Sequence, residues 1–400
     1  LVAFSPAEDE SMMQGEVASF AKTLRTRARE FEKGRAVAED ARKAAHGMGL
    51  GSLSIPSSCG GAGLGLVTAM LVEEELAFGD AGAAFGLAGG ASFVRAVLEL
   101  GTEDDAKRLL ALLSADDGYK KFGAVAWSEK LPNKERAGFS TVATKKGDRF
   151  EISGEKSFVV NGALASTLVV FAQVDESRGW EGIDAFVVEA NARGVKIGER
   201  AKTLGLDAAN VTSVSFDSAP ATRLGDGADV SKKILRFFVK SGLIVAARAV
   251  GLAHAAFDVT REYCDTRKAF GKPVGHFQAV AFTIADRAMD VDAARSLVWR
   301  AADAWDRELP ENEALLYSAQ AISFALEAAM RCGDDAVQLH GGSGFMRDYP
   351  VEKFMRDAKQ LQLCVMTAEQ ADQLAATLEV GQPLALGQIL PTPESQNTLV

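Results

Sequence analysis

The sequence predicts an α+β multidomain protein: an N-terminal α-helical domain over residues 1–117, a middle antiparallel β-barrel or sandwich over 118–228, and a C-terminal four-helix bundle over 229–387, with a flexible tail at 388–400. Three observations predict it. The opening third is rich in Ala, Leu and Glu at helical spacing. The middle carries short strands rich in Val, Phe and Thr with no ten-residue helical pattern between them. From about Val230 onward the helical period returns and persists to about Val380.

In the first region Met12, Val17, Phe20, Ala21 and Leu24 recur mostly at steps of three and four, as do Val67, Met70 and Leu71. Pro56, Gly60, Gly61 and Gly63 mark a loop between two of these helices, either a plain turn or a place where backbone lies close to a ligand. In the middle region Thr141–Thr144, the turn Lys145–Asp148 and Arg149–Ile152 read as strand, turn, strand. Thr167–Val174, Ala185–Glu189, Val195–Ile197 and Val211–Phe216 complete the set. In the third region Phe277, Val280, Ala281, Ile284, Ala285 and Ala288 form a wide apolar stripe, as expected of a bundle helix. The polar, Pro-containing segment after Gly387 reads as disordered.

Charge and composition narrow the function. With 44 basic against 54 acidic side chains and a pI near 5.2, the chain has no basic stripe for phosphate contacts, which argues against nucleic acid. The apolar run Leu243–Val250 is interrupted by Arg248, so no membrane span is expected. Residues 1–10 show no secretory pattern, and Cys59, Cys264, Cys332 and Cys364 have neither CxxC nor CxH spacing. A reducing cytoplasm and no metal site are therefore expected. A G-x-G-x-x-G following a strand is missing from the middle region, which weighs against a Rossmann site.

Two clusters remain that could carry chemistry. Arg267-Lys268-Ala269-Phe270-Gly271-Lys272-Pro273, with Gln278 downstream, sets a guanidinium, a ring and a tight turn before a helix. Such a fork suits phosphate oxygens, although a solvated arginine would leave the same pattern. Gln338-Leu339-His340-Gly341-Gly342-Ser343-Gly344 ends a helix with three glycines that allow a flat ligand or another backbone to approach. His340 beside them reads as structural more readily than catalytic.

The spacing of Arg267, Phe270, Gly271 and Gln278, then of Gln338, Gly341, Gly342, Gly344 and Arg356-Asp357-Ala358-Lys359, closely resembles the acyl-CoA dehydrogenase family. Ile55-Pro56, Gly60–Gly63 and Glu74-Glu75-Leu76-Ala77 extend the likeness over nearly the whole chain. The resemblance implies the same three domains, usually in a tetramer of paired dimers, and FAD held at a dimer interface between barrel and bundle. It implies that Arg267, Phe270 and Gln278 reach the FAD of a neighbouring subunit, and that Gln338, Gly341 and Gly342 meet its adenosine and pyrophosphate. It places Trp127-Ser128-Glu129 and Phe158-Val159-Val160-Asn161-Gly162 on strands that face the flavin, with Trp127, Ser128, Phe158 and Val160 as contacts. Thr367 falls on the threonine that lies near it.

Against that family pattern three departures stand out. The Glu-Pro-Gly-Ala-Gly-Ser-Asp loop is replaced by Glu129-Lys130-Leu131-Pro132-Asn133-Lys134-Glu135, and Phe158 and Val160 replace tryptophan and threonine. Above all, Tyr-Glu-Gly-Thr is replaced by Cys364-Val365-Met366-Thr367, so Val365 takes the position of the general base; Ser241 takes the alternative position used by some members. Glu369, one helical turn beyond Val365, is the weak candidate base. The resemblance thus implies Cα–Cβ oxidation of an acyl-CoA or acyl-carrier thioester by FAD, with electrons passed to an electron-transfer flavoprotein, in a homo-oligomer. Its alternatives are a base-less member running desulfinase- or monooxygenase-type flavin chemistry, and a flavin-sharing subunit that pairs with an active homologue.

Overall fold

The computed structural model describes residues 8–87, 91–131, 133 and 136–390. Six helices come first: α1 (Glu8–Thr26), α2 (Ala28–Gly34), α3 (Glu39–Gly47), α4 (Leu66–Gly86), α5 (Ala91–Leu100) and α6 (Glu103–Ser114). Seven strands follow: β1 (Phe122–Ala126), β2 (Val142–Lys146), β3 (Arg149–Val159), β4 (Ala165–Gln173), β5 (Ile183–Glu189), β6 (Val195–Arg200) and β7 (Thr212–Arg223). The last part holds α7 (Val230–Thr266), the small hairpin β8–β9 (Lys268–Ala269 and Lys272–Pro273), α8 (Gln278–Asp306), α9 (Glu311–Leu339), α10 (Val351–Leu361), α11 (Ala368–Glu379) and α12 (Leu386–Ile389).

The strands close on themselves, since β4, β2, β3, β7 and β5 pair in that order and β5 returns to β4. The expected antiparallel sheet is mostly so but carries two parallel pairings, β1 with β4 and the single bridge of Val142 with Gln173 between β2 and β4. β1 and β4 run parallel over Phe122–Ala126, because the hairpin β2–β3 intervenes and returns the chain in the original direction. β1, a short Gly- and Ala-containing strand, was not among the strands predicted from propensity. The unbroken apolar run of β4 also has a physical reason. Leu168, Val170 and Ala172 fill the barrel, whereas the alternate residues Val169 and Phe171 join the core shared with the helices. Both faces of this strand are buried.

α7 is the axis of the helical part. It is long and apolar enough to span a membrane, but 78% of its apolar window is buried within the protein, as suits a core helix. It packs on α4 and α9, and a Cβ at Gly251 would overlap the Glu74 carbonyl oxygen of α4, so the crossing needs glycine there. The predicted apolar stripe of α8 is packed only in part. Phe277, Val280, Ala281, Ile284 and Ala288 are only half-buried and Ala285 is exposed, whereas the buried face of α8 lies further along, at Val291, Ala294 and Val298. Residues 388–390, expected in the tail, are ordered instead: α12 forms, and Ile389 and Leu390 are buried against the core. Residues 391–400 lie outside the described residues, as do Pro132, Lys134 and Glu135 of the replaced loop.

One buried cation ties the three parts together. Lys353 of α10, 4% exposed, pairs with Asp80 in α4 and with Asp357 at 2.6 Å. Asp80 sits at a non-helical kink of α4 and accepts the Ala83 amide at 2.7 Å, and Asp357 accepts the Leu206 amide of the barrel-side loop at 2.7 Å. Burial, with Asp80 as a second negative neighbour, raises the Asp357 carboxyl pKa against the pull of Lys353. Lys353→Met would strand two buried carboxylates and cost about 3–5 kcal/mol at neutral pH. A carboxyl raised in the folded state takes up its proton more readily there than in the unfolded chain. The deficit therefore shrinks as pH falls from neutrality, which paired denaturant titrations of wild type and variant would measure.

Candidate functional site

A cleft of about 550 Å³ opens between the barrel and the bundle. The strand side supplies Trp127, Ser128, Phe158 and Val160; the C-terminal side supplies Val365 and Thr367. Six of the residues picked from sequence thus converge on one cavity. Trp127 is held edge-on by Phe139, Phe171 and Phe238, with ring centroids 4.7, 4.9 and 4.0 Å away, and it stacks on Trp180. The Ser128 side chain has no partner among the described residues and lines the cavity. A register shift in β3 between Lys156 and Val159 leaves Phe158 at φ +56° and 59% exposed on the cleft. An aromatic in left-handed backbone with its ring uncovered is a costly arrangement that protein packing alone does not explain.

Below this wall lies a buried ion pair. Lys156 is fully buried, donates to the Trp127 carbonyl at 2.9 Å and to Glu129 Oε1 at 3.1 Å, and sits 3.3 Å from the centroid of the Phe139 ring. Burial pushes its amine down to about 7. Burial would raise the Glu129 carboxyl, but Lys156 and the Thr141 and Ser140 amides, at 2.9 and 2.8 Å, outweigh it and hold the pKa low. Glu129 lines the cleft, yet both its oxygens are already engaged.

The expected base positions give no usable carboxylate. Val365 lies in the turn between α10 and α11 at φ +62°, and the Met366 amide donates to the Cys364 carbonyl across it at 2.8 Å, a strained turn for a β-branched residue. Since Val365 is outside any helix, the helical spacing that linked it to Glu369 does not hold. Glu369 sits exposed in the first turn of α11 and does not line the cleft. Thr367 caps that helix, accepting the Gln370 amide at 3.2 Å. Ser241 is fully buried in α7, away from the cavity lining. The Cys364 thiol is pushed up to about 12 by burial, so it is no base either.

Arg267, Phe270, Gln278, Gln338, Gly341 and Gly342 do not line the cleft. All are exposed on the bundle surface. The hairpin turn places Phe270 at φ +49° and 97% exposed, followed by Gly271 at φ +85°. The Arg267 guanidinium has no partner among the described residues. The two surface clusters are nonetheless linked. Tyr263, one turn before Arg267, stacks on His340 at 4.1 Å and donates to its carbonyl at 3.3 Å, directly before the Gly341 turn at φ +54°. His340 is 2% exposed with Nδ1 2.7 Å from the Ala336 carbonyl, and burial lowers its pKa. It is a structural histidine.

Sequence reasoning missed several cleft residues. Phe139, Trp180, Phe237 and Phe238 are spread over three segments and read as ordinary core; Leu390 was assigned to the tail; Arg248 interrupts an apolar run, which was the one available signal. A cavity of this size, walled by aromatic rings with a free serine hydroxyl at its edge, fits a planar ring system such as isoalloxazine. Among the described residues its lining holds no glycine turn paired with a free guanidinium of the kind seen at Arg267 and Gly341. The free guanidinium and open glycine turn that fit a diphosphate lie on the exposed end of the bundle, where a second chain can reach them.

Comparison with known proteins agrees with this layout. Family models described as the acyl-CoA dehydrogenase N-terminal, middle and C-terminal domains match residues 7–116, 124–219 and 226–364. An acyl-CoA dehydrogenase of Bacillus subtilis is 34% identical over 80% of this chain and 84% of its own length. A probable acyl-CoA dehydrogenase of Mycobacterium tuberculosis is 33% identical over 90% of this chain and 92% of its own. Among solved structures, the butyryl-CoA dehydrogenase of Megasphaera elsdenii superposes with a TM-score of 0.87 at 28% identity, covering 95% of this chain and 100% of that one. The chain therefore belongs to the acyl-CoA dehydrogenase family, a family of FAD-dependent oxidoreductases.

Proposed function

We propose that the chain oxidises an acyl thioester across Cα–Cβ with FAD, as part of an oligomer that passes electrons to an electron-transfer flavoprotein. The observation that carries this reading is the convergence of Trp127, Ser128, Phe158, Val160, Val365 and Thr367 on one cleft, with Arg267, Gln278 and the Gly341–Gly342 turn left exposed for a second copy. Bound FAD would supply the hydride acceptor. Trp127 and Phe158 would wall its ring, the Ser128 hydroxyl would hydrogen-bond to it, and the aromatic lining would keep water out. The thioester itself is of coenzyme A or an acyl-carrier protein. The compartment we infer is a reducing cytoplasm, in which Cys59, Cys264, Cys332 and Cys364 remain free thiols.

Removal of the Cα proton sets this chain apart. Among the described residues lining the cleft, Glu129 is engaged, Arg248 is cationic and Val365 has nothing to offer. That observation favours a second reading, in which the chain either shares its flavin site with a homologue bearing the glutamate or runs flavin chemistry that needs no base.

Three measurements separate these readings. The purified chain, reconstituted with FAD, should show flavin absorption that bleaches anaerobically with an acyl-CoA; failure to retain any flavin would overturn both enzymatic readings, and co-purification with a glutamate-bearing homologue would favour the shared site. Val365→Glu should speed that bleaching by about 10²–10⁴-fold, the usual contribution of a positioned base. An unchanged rate would show that proton removal does not pass through this position. Arg267→Gln should leave the unfolding midpoint of the chain almost unmoved, because the exposed guanidinium has no polar partner among the described residues, yet lower the FAD content of the oligomer; equal FAD content would assign Arg267 to plain solvated surface.

A further inference from the structure

The cleft wall carries a buried cation that the oxidation does not use. Arg248 of α7 is 4% exposed and lines both the main cleft and an adjoining cavity of about 70 Å³, with Ala91 as another wall residue common to both. Its Nε donates to Glu73 at 2.7 Å, and the guanidinium lies 4.1 Å from the centroid of the Phe85 ring. Its two Nη groups find no acceptor among the described residues, and neither is sealed from the cavities. Arginine stays charged at every working pH, so these donors await an acceptor in a place where an unmade charged hydrogen bond is costly.

The neighbouring carboxylates are committed elsewhere. Arg95 lines the smaller cavity, is 8% exposed, and among the described residues hydrogen-bonds through its side chain to Glu99 alone, at 3.5 Å. Glu99 is shared with Lys240 at 2.8 Å. Three cations, Arg95, Lys240 and Arg248, face three carboxylates, Glu73, Glu99 and Asp306, so the charges balance and what stays open is the hydrogen-bonding edge of Arg248. Asp306, which also acts on Arg95, commits its oxygens to the Leu66 and Val67 amides at 2.7 and 2.8 Å.

We propose that Arg248 is a specificity-determining residue that receives a carboxylate at the far end of the acyl chain, so that the substrate class is an ω-carboxyacyl thioester. Glu73 and Phe85 fix the guanidinium plane, and the open Nη edge offers the paired donors that suit a carboxylate. The small cavity beside Arg248 gives the chain end room to turn toward that edge. This inference rests on reading the cleft as a thioester site.

The test is isothermal titration of the FAD-loaded protein with coenzyme A thioesters, length-matched and ending in methyl, carboxylate or ammonium, across a series of chain lengths. At the best length the carboxylate should bind at least about 10-fold tighter than the methyl, the worth of one charge-assisted hydrogen bond, and the ammonium weakest. Arg248→Gln should bring the carboxylate-to-methyl ratio close to one. Should that variant fail to fold because Glu73 is left unpaired, Glu73→Gln combined with Arg248→Gln serves in its place. Equal binding of methyl and carboxylate at every length, or an unchanged ratio in the variant, overturns the inference and leaves the thioester reading intact. No binding of any thioester overturns both.

Discussion

The cleft depends on one buried ammonium. Lys353 joins α10 to the kink of α4 and, through Asp357, to the Leu206 loop beside the barrel. The kink matters because the stretch of α4 beyond it carries Phe85, whose carbonyl accepts the Asn161 amide at the end of β3 and whose ring lies under Arg248. Gly205 and Leu206 line the same cavity. A pair of buried salt links is a costly device, and removing one member costs far more than the intact set contributes. Its effect is positional: barrel, α4 and C-terminal helices meet at a fixed distance, and the space left between them is the site.

Within that space the strained residues mark the edges. Phe158 and Val365 both adopt left-handed backbone, on opposite sides of the cleft, and each stands where the family pattern has another residue. Valine is the less natural occupant of such a turn, since its branched Cβ crowds the carbonyl. Polar capacity in the cleft has moved accordingly. The carboxylate expected at 365 is missing, while a guanidinium with open donors stands at 248. A cleft with no carboxylate at 365 and an open guanidinium edge at 248 is better suited to holding an anion than to removing a proton.

Much of this was legible in the sequence because it rests on local rules. Period-two and period-3.6 patterns located the domains, and fixed spacings around Arg267, Gly341 and Asp357 located the family. What sequence did not show depends on long-range packing. The parallel placement of β1 follows from where the chain returns, not from its own residues. Glu369 looked reachable only if Val365 were helical, and a turn intervenes. Leu390 sits in a polar, proline-flanked stretch, yet the Glu181 carboxylate and the Gln370 side chain anchor α12 over the cleft. Arg248 was visible only as an interruption, because neither Glu73 nor Phe85 is near it in sequence.

The most direct measurement is a crystal structure of the oligomer grown with FAD and a coenzyme A thioester. The account predicts isoalloxazine density in the cleft between barrel and bundle, against Trp127 and beside Val365, with the diphosphate reaching the Arg267 hairpin and the Gly341 turn of a second copy. Density showing the cleft closed by the protein's own side chains, or the cofactor seated elsewhere, would contradict it.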